Sequence, residues 1–478
     1  MRKMFCIALT AIILSGSVCM LTACDTPSAR SRYRIEAEYD EAARTLTAQM
    51  TVSVVNEWDN ALSEVKFSLP MNAYREGAKY SPVSSTYYAA VYYDGASYGG
   101  IAISSVSGGS YEIAGEDENS LNVTLEKPLY PDECAEIAVT FTTTLPKANH
   151  RLGVGENAVN LANFYPVLAH YGTNGFEEYV YSSNGDPFVT NCADYDVTLT
   201  ASEKFVLATG GKAEEETKNG KKTYHIIEEK VRDVAFVLSE KFSVAQTETG
   251  GVTVRYYSFA DETPEATLSL AAECLHFYSR TFGSYPYRNY AVTETDFPYG
   301  GMEYPTLSMI SSLLKEEDRE IVVAHETAHQ WWYGVVGSNQ FTDAWQDEGL
   351  ADYSAALFFN ASSHSVTGDE LLKNSLQSYR AFFSVHSQLT GKVDTAMSRP
   401  LTAFSGEYEY VNISYGKGMI LFDRLKEMIG DRRFYAGLKE YYERCAFRVA
   451  TKEELISSFS GGGAEELFAS FLDGRCVI

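Results

Sequence analysis

The chain has 478 residues, 45% apolar and 22% charged, which is ordinary globular usage and too long for one hydrophobic core. Its formal charge of −25, from 39 Lys and Arg against 64 Asp and Glu, argues against nucleic acid as a partner. Acidity of this kind reports solubility and selects no function by itself.

At the N-terminus, Arg2 and Lys3 precede an apolar stretch broken by small residues, Met4 to Met20, which reads as a secretory signal segment. It closes with Leu21-Thr22-Ala23-Cys24, which resembles the lipobox of bacterial lipoproteins. That resemblance implies removal of residues 1–23, a lipid on Cys24, and an extracytoplasmic protein anchored to a bacterial membrane. A plain secretory signal cut near Ala23, or an uncleaved anchor, is the alternative. Residues 24–32 are mostly small and polar and read as a tether. Of the remaining cysteines, Cys134, Cys192, Cys274, Cys445 and Cys476, the number is odd and no C-x-x-C spacing occurs. They give no disulfide framework and no cysteine metal site, with a single Cys445 to Cys476 bridge left open. No other apolar run has the length that crosses a bilayer.

From residue 33 to 250 the pattern is strand-like. Segments such as Thr45-Leu46-Thr47-Ala48-Gln49-Met50-Thr51-Val52 and Tyr195-Asp196-Val197-Thr198-Leu199-Thr200 alternate, with Gly, Asn, Asp and Pro between them, which predicts an all-β sandwich or saddle. Tyr80 to Tyr111 is rich in Tyr, Ser and Gly, yet its aromatic and β-branched content predicts strands and turns rather than a disordered linker. Near Gly250-Gly251 the period changes, and residues 251–478 read as a second, mostly helical domain. Pro264 to Thr281 carries Leu268, Leu270, Ala271, Cys274, Leu275 and Tyr278 at helical spacing behind a first-turn proline. Thr451-Lys452-Glu453-Glu454 reads as a capping box, and Gly430 as the residue ending a helix from Tyr415 to Ile429.

The chemistry concentrates in Ile321-Val322-Val323-Ala324-His325-Glu326-Thr327-Ala328-His329-Gln330-Trp331-Trp332, a helix former free of Pro and Gly until Gly334. Histidines at i and i+4 lie one turn apart on one face, so both imidazoles can reach one Zn²⁺. Glu326, beside the first, points to the open side as general base. Glu348, after 18 intervening residues, is the third ligand, leaving the fourth position to water as catalytic zinc requires. Asp352 shares the Glu348 face at i+4, where it can accept the second ring N–H of a ligand histidine; the bland reading is an exposed acid. Two imidazoles and a carboxylate suit zinc, one ion per chain, although cobalt or manganese could occupy such a set.

These residues resemble the aminopeptidase-N-type zinc peptidases, gluzincins with a thermolysin-like catalytic domain. Gly300-Gly301-Met302-Glu303-Tyr304-Pro305 is similar to that family's G-[AG]-M-E-N motif, H-E-x-x-H and its distant Glu follow, and Ser414-Tyr415-Gly416-Lys417-Gly418-Met419 is similar to its Y-E-K-G-A segment. Asn163-Phe164-Tyr165-Pro166 and Gly185-Asp186-Pro187-Phe188 resemble members carrying the G-G-M-E-Y-P variant. The resemblance implies a β domain followed by a thermolysin-like, mostly helical peptidase domain. It also implies a peptide substrate with a free N-terminus. Glu303 would hold its α-amine, Gly300, Gly301 and Met302 would line its backbone, and Tyr415 would stabilise the oxyanion.

Two departures temper this expectation. Tyr304 stands where the commoner motif has Asn, which predicts an altered first subsite. The sequence also runs only 63 residues past Tyr415, short of the large helical domain that caps the cleft in many members, which predicts a more open site. A zinc endopeptidase with an open cleft is therefore the second reading. An inactive peptide-binding surface lipoprotein is the third, opposed by the presence of both Glu326 and Tyr415, which a structural zinc does not need.

Overall fold

The computed structural model describes residues 30–476 and 478, so the expected signal segment, Cys24 and most of the tether lie outside the described residues. In Arg32–Asp40 every second side chain is buried, and Ala193–Ser202 repeats the alternation. The two pair in parallel within a seven-stranded sheet, ordered Lys212–Lys218, Lys221–Val231, Ala193–Ser202, Arg32–Asp40, Thr45–Val55, Cys134–Thr144 and Gly100–Ser107. A four-stranded sheet containing Leu62–Ser68 and Ser120–Leu129 shares its core: Ile35, Phe141 and Val197 of the first sheet cluster with Val65, Phe67 and Val123 of the second. Two sheets sharing one apolar interior form a sandwich.

The Tyr-rich stretch departs from the expected strands. Before Gly100–Ser107 and Gly109–Ala114, residues Tyr88–Val91 make one helical turn. The turn brings Val91 and the next residue, Tyr92, into one small cluster with Val83 and Ala148.

Gly250 and Gly251, both at positive φ (56° and 79°), turn a hairpin between Ser243–Thr249 and Val252–Ser258. Glycine carries this turn because it adopts positive φ without a Cβ penalty. The hairpin belongs to a five-stranded sheet, ordered Ser243–Thr249, Val252–Ser258, Asn289–Thr295, Leu307–Ser311 and Gly301–Met302. The change of sheet falls between Ser239 and Ser243, within the roughly ten residues of Gly250 that the pattern allows. Ser243–Thr249 is a largely exposed edge strand, which made it read as a continuation of the β domain.

Helices fill the rest. Pro264–Thr281 buries the six residues its spacing predicts, and Thr451 caps Lys452–Ser457 with a reciprocal Glu454 capping box. Gly430, φ 79°, ends Gly418–Ile429, but the preceding Val411–Lys417 is a widened π-type turn rather than α-helix. Cys192, Cys274, Cys445 and Cys476 are free thiols, so the Cys445 to Cys476 bridge does not form. No helix among the described residues is long and apolar enough to cross a membrane. The halves are riveted by Arg232, whose buried guanidinium donates to the carbonyls of Thr190, Tyr333, Val335 and Arg448.

Glu228 sits nearby, buried, accepting from the Thr306 hydroxyl at 2.9 Å. Burial lifts its carboxyl to about 8, against about 4.3 in an unfolded chain. A raised folded value means the folded state holds the proton more tightly. The resulting stability is complete below about pH 4 and is lost as pH rises through about 8. Glu228→Gln should therefore stabilise the protein by on the order of 3 kcal/mol at pH 8.5 and hardly at all at pH 4. Denaturant midpoints at the two pH values read this; an equal gain at both would contradict the titration.

Candidate metal centre and active site

The motif helix spans Glu316–Ala328, opened by Glu316, Glu317 and Asp318, whose negative charges complement the positive helix N-terminus. It stops earlier than the expected Trp332. His329 is its C-cap, and Gly334 N–H closes onto the His329 carbonyl at 2.9 Å. The break lets the adjacent Trp331 and Trp332 both bury, at 0% and 1% exposure.

His325 and His329 face Glu348, which rises from Trp345–Ala361. His325 Nε2 and His329 Nε2 are 2.9 Å apart, and Glu348 Oε2 lies 3.4 and 3.3 Å from them. The outer nitrogens are occupied: His325 Nδ1 lies 2.8 Å from Asp352 Oδ1, and His329 Nδ1 lies 2.9 Å from the Trp332 carbonyl. With acceptors on both, each Nδ1 carries the proton and each Nε2 lone pair turns inward.

The arrangement fits a metal on its own chemistry. Glu348 Oε2 is buried without a hydrogen-bond donor, and the three inward atoms form a triangle small enough for one ion at about 2.0 to 2.2 Å. Charge points the same way. Burial opposes a charged imidazole, yet hydrogen bonds to Asp352 and Glu348 raise His325 well above its ordinary value, and Glu303 and Glu348 raise His329. Glu348 is held low by the imidazoles despite burial. A locus that draws protons onto two imidazoles favours a cation, and this nitrogen and oxygen set suits Zn²⁺.

Glu326 is 5% exposed, and its Oε2 has no hydrogen-bond partner among the described residues. Burial lifts its carboxyl to about 7, against the pull of the two imidazoles. It is packed under the edge strand: a Cβ on Gly301 would stand 2.4 Å from Glu326 Oε1, so a larger residue there would push the Glu326 side chain aside. Gly300 precedes it at φ 95°, turning the chain into that strand. Met302 is buried, pairing with Met309. Glu303 follows at 5% exposure, receiving a 3.2 Å hydrogen bond from Gln340 Nε2 and no ion pair from the described residues. Burial first, then the charge of Asp186, raises its carboxyl well above the ordinary range.

Tyr304 does not enter the cleft. Its side chain is buried, its hydroxyl donates to Asn163 Oδ1 at 3.3 Å, and its carbonyl accepts from Gln330 Nε2. The expected change in the first subsite is thereby replaced by a bond between two of the motif segments. Tyr415, on the π-type turn, donates to Glu348 Oε1 at 2.5 Å and stacks near the His325 ring. Widened turns of this kind recur at functional sites because they re-aim a side chain.

Several contributors carry no signal in sequence. Gln340 bridges Glu303 and Asp347, and Gln330 ties the Glu303 strand to the motif helix through Tyr304 and Thr306. Tyr410 reaches Glu348 Oε1 at 3.4 Å. Beside Tyr415 opens a cleft of about 290 Å³, lined on one side by Gly301, Met302 and Phe297 and on the other by Asp186, Glu407 and Tyr410. Pro82, from the Tyr-rich stretch, also lines it, and Tyr87 packs on Tyr299 at its mouth. The β domain thus supplies part of the cleft wall.

The chain is similar to known peptidases. Residues 266–473 match the peptidase family M1 domain. Endoplasmic reticulum aminopeptidase 2 of Homo sapiens is 27% identical over 257 residues, 50% of this chain and 26% of that protein. Aminopeptidase N of Lactococcus lactis is 27% identical over 229 residues, 45% of this chain and 26% of that one. The chain spans about a quarter of the length of these relatives. An M1 zinc metallopeptidase structure from Deinococcus radiodurans, 19% identical, superimposes with a TM-score of 0.66, covering 95% of this chain and 96% of that one. That similarity establishes the two-domain fold.

Proposed function

We propose, from the match of residues 266–473 to the peptidase family M1 domain, that the chain is a zinc-dependent aminopeptidase that removes N-terminal residues from peptides. One observation carries the reading: the buried triangle of His325, His329 and Glu348 lies with Glu326 against a sheet edge that ends in a second buried acid, Glu303. Zinc held by His325, His329 and Glu348 would supply an acidified water, pKa about 7, and polarise the scissile carbonyl.

The chain's own groups do the rest. Glu326, with a free buried oxygen and a carboxyl near 7, takes the proton of the attacking water and returns it to the departing amine. Tyr415 holds its hydroxyl proton beside the cluster, placed to donate to the developing oxyanion, an interaction strongest in the transition state. Gly301–Met302 is an edge strand, so its free backbone groups can pair with an extended peptide. Glu303 is a buried carboxyl with an amide donor and no ion pair among the described residues, its charged form disfavoured by burial; a substrate ammonium would stabilise that charged form. The Deinococcus radiodurans neighbour has also been solved as a mutant bound to the substrate Tyr-Ser-Ala, which supports a peptide in this cleft.

Glu303→Gln tests the end-recognition role. It should lower kcat/KM on peptides with a free N-terminus about a hundredfold, chiefly through KM, because a charge-assisted bond becomes a neutral one. A variant that matches the wild type on free peptides, while both cut N-acetylated peptides internally, would establish the endopeptidase reading instead. Extracytoplasmic anchoring through Cys24 is likewise a proposal, motivated by the Leu21-Thr22-Ala23-Cys24 sequence. Metabolic palmitate labelling of the wild type and of Cys24→Ala tests it, and equal labelling of both would refute it.

A further inference from the structure

Resting on the aminopeptidase reading, we propose that Glu407 makes the enzyme selective for substrates whose N-terminal residue is lysine or arginine. The cleft beside the metal triangle opens at Gly301, Met302 and Tyr415, so it adjoins the place where a substrate meets the reacting groups. It lies on the Glu303 side: Gly301 and Met302, which line it, form the edge strand that runs directly into Glu303. The side chain it receives is therefore that of the residue whose α-amine Glu303 holds.

The charges lining this cleft do not cancel. Arg151 and Asp186 form a buried ion pair with each other, and the Arg151 guanidinium lies over Phe188. His150 is buried against the Tyr74 hydroxyl and stays neutral because burial drives its imidazole well below the usual range. Glu407 remains. It is half-buried, and among the described residues it has no ion pair; the Tyr87 hydroxyl alone offsets its burial.

The walls are aromatic and apolar, from Phe297, Tyr299, Tyr410 and Pro82. An aliphatic stem ending in a cation satisfies both features: methylenes and cation lie along aromatic faces while the charge meets Glu407. A purely apolar N-terminal side chain filling the same space would strip water from that carboxylate and return nothing. An acidic one would meet a like charge.

The test is kcat/KM of the full chain on lysine and norleucine fluorogenic amides, which differ by the ammonium. The wild type should prefer lysine at least about tenfold, Glu407→Gln should collapse that ratio towards one, and Glu407→Lys should favour a glutamate amide over lysine. Calorimetric binding of free lysine and norleucine to Glu326→Gln should show the same order without relying on turnover. A wild-type preference for norleucine, or a lysine ratio that survives Glu407→Gln in a variant of normal thermal stability, would overturn the inference while leaving the aminopeptidase intact. Absence of turnover on every amide would overturn both.

Discussion

Glu326→Gln should lower kcat by about a thousandfold or more while zinc stays bound at one ion per chain. The separation of the two effects follows from position. Glu326 is a neighbour of the triangle and not a member: its Oε2 has no partner, and its Oε1 side is packed under Gly301. Gln keeps the volume that Gly301 accommodates, so the strand and helix should stay in register and the melting temperature should change little. What disappears is a group able to take a proton near neutral pH. Metal analysis and steady-state kinetics on the same preparation read both halves. Activity within tenfold of the wild type would place the general base elsewhere.

Glu348→Ala should have the opposite signature, losing the metal and with it all measurable turnover. Its Oε2 completes the triangle with the two inward nitrogens, and its Oε1 accepts from Tyr415 at 2.5 Å and Tyr410 at 3.4 Å. Truncation removes a ligand and takes away the acceptor of the buried Tyr410 hydroxyl and of Tyr415 at once. Zinc content should fall below about a tenth of an ion per chain, and added chelator should then have no further effect. In the wild type, chelation should lower stability by RT ln(1 + [Zn]/Kd), about 4 kcal/mol for zinc at a thousand times its Kd. A chelator that leaves both the melting temperature and activity of the wild type untouched would contradict a metal at this triangle.

Local patterns made part of this legible in the sequence. An i, i+4 pair on one helix face depends on helical geometry alone, and so does Asp352 one turn beyond Glu348. The alternation of residues 32–40 and 193–202 likewise carried the sandwich. What stayed hidden was fixed by packing between distant segments. Gln340, Gln330 and Tyr410 act through partners brought together by tertiary structure, and nothing in their neighbourhood marks them. Tyr304 shows how a substitution at a motif position can mislead, since its side chain turns inward to Asn163 instead of lining the subsite. Pro82 shows the same for the cleft: it reaches the wall from a stretch far away in sequence, which no local pattern marks.

The most direct measurement pairs each fluorogenic amino-acid amide with its N-acetylated form, with and without chelator, on the full chain. The account predicts release from free amines only, abolished by chelator and restored by added zinc. Comparable hydrolysis of the acetylated forms, or turnover indifferent to chelator, would contradict it.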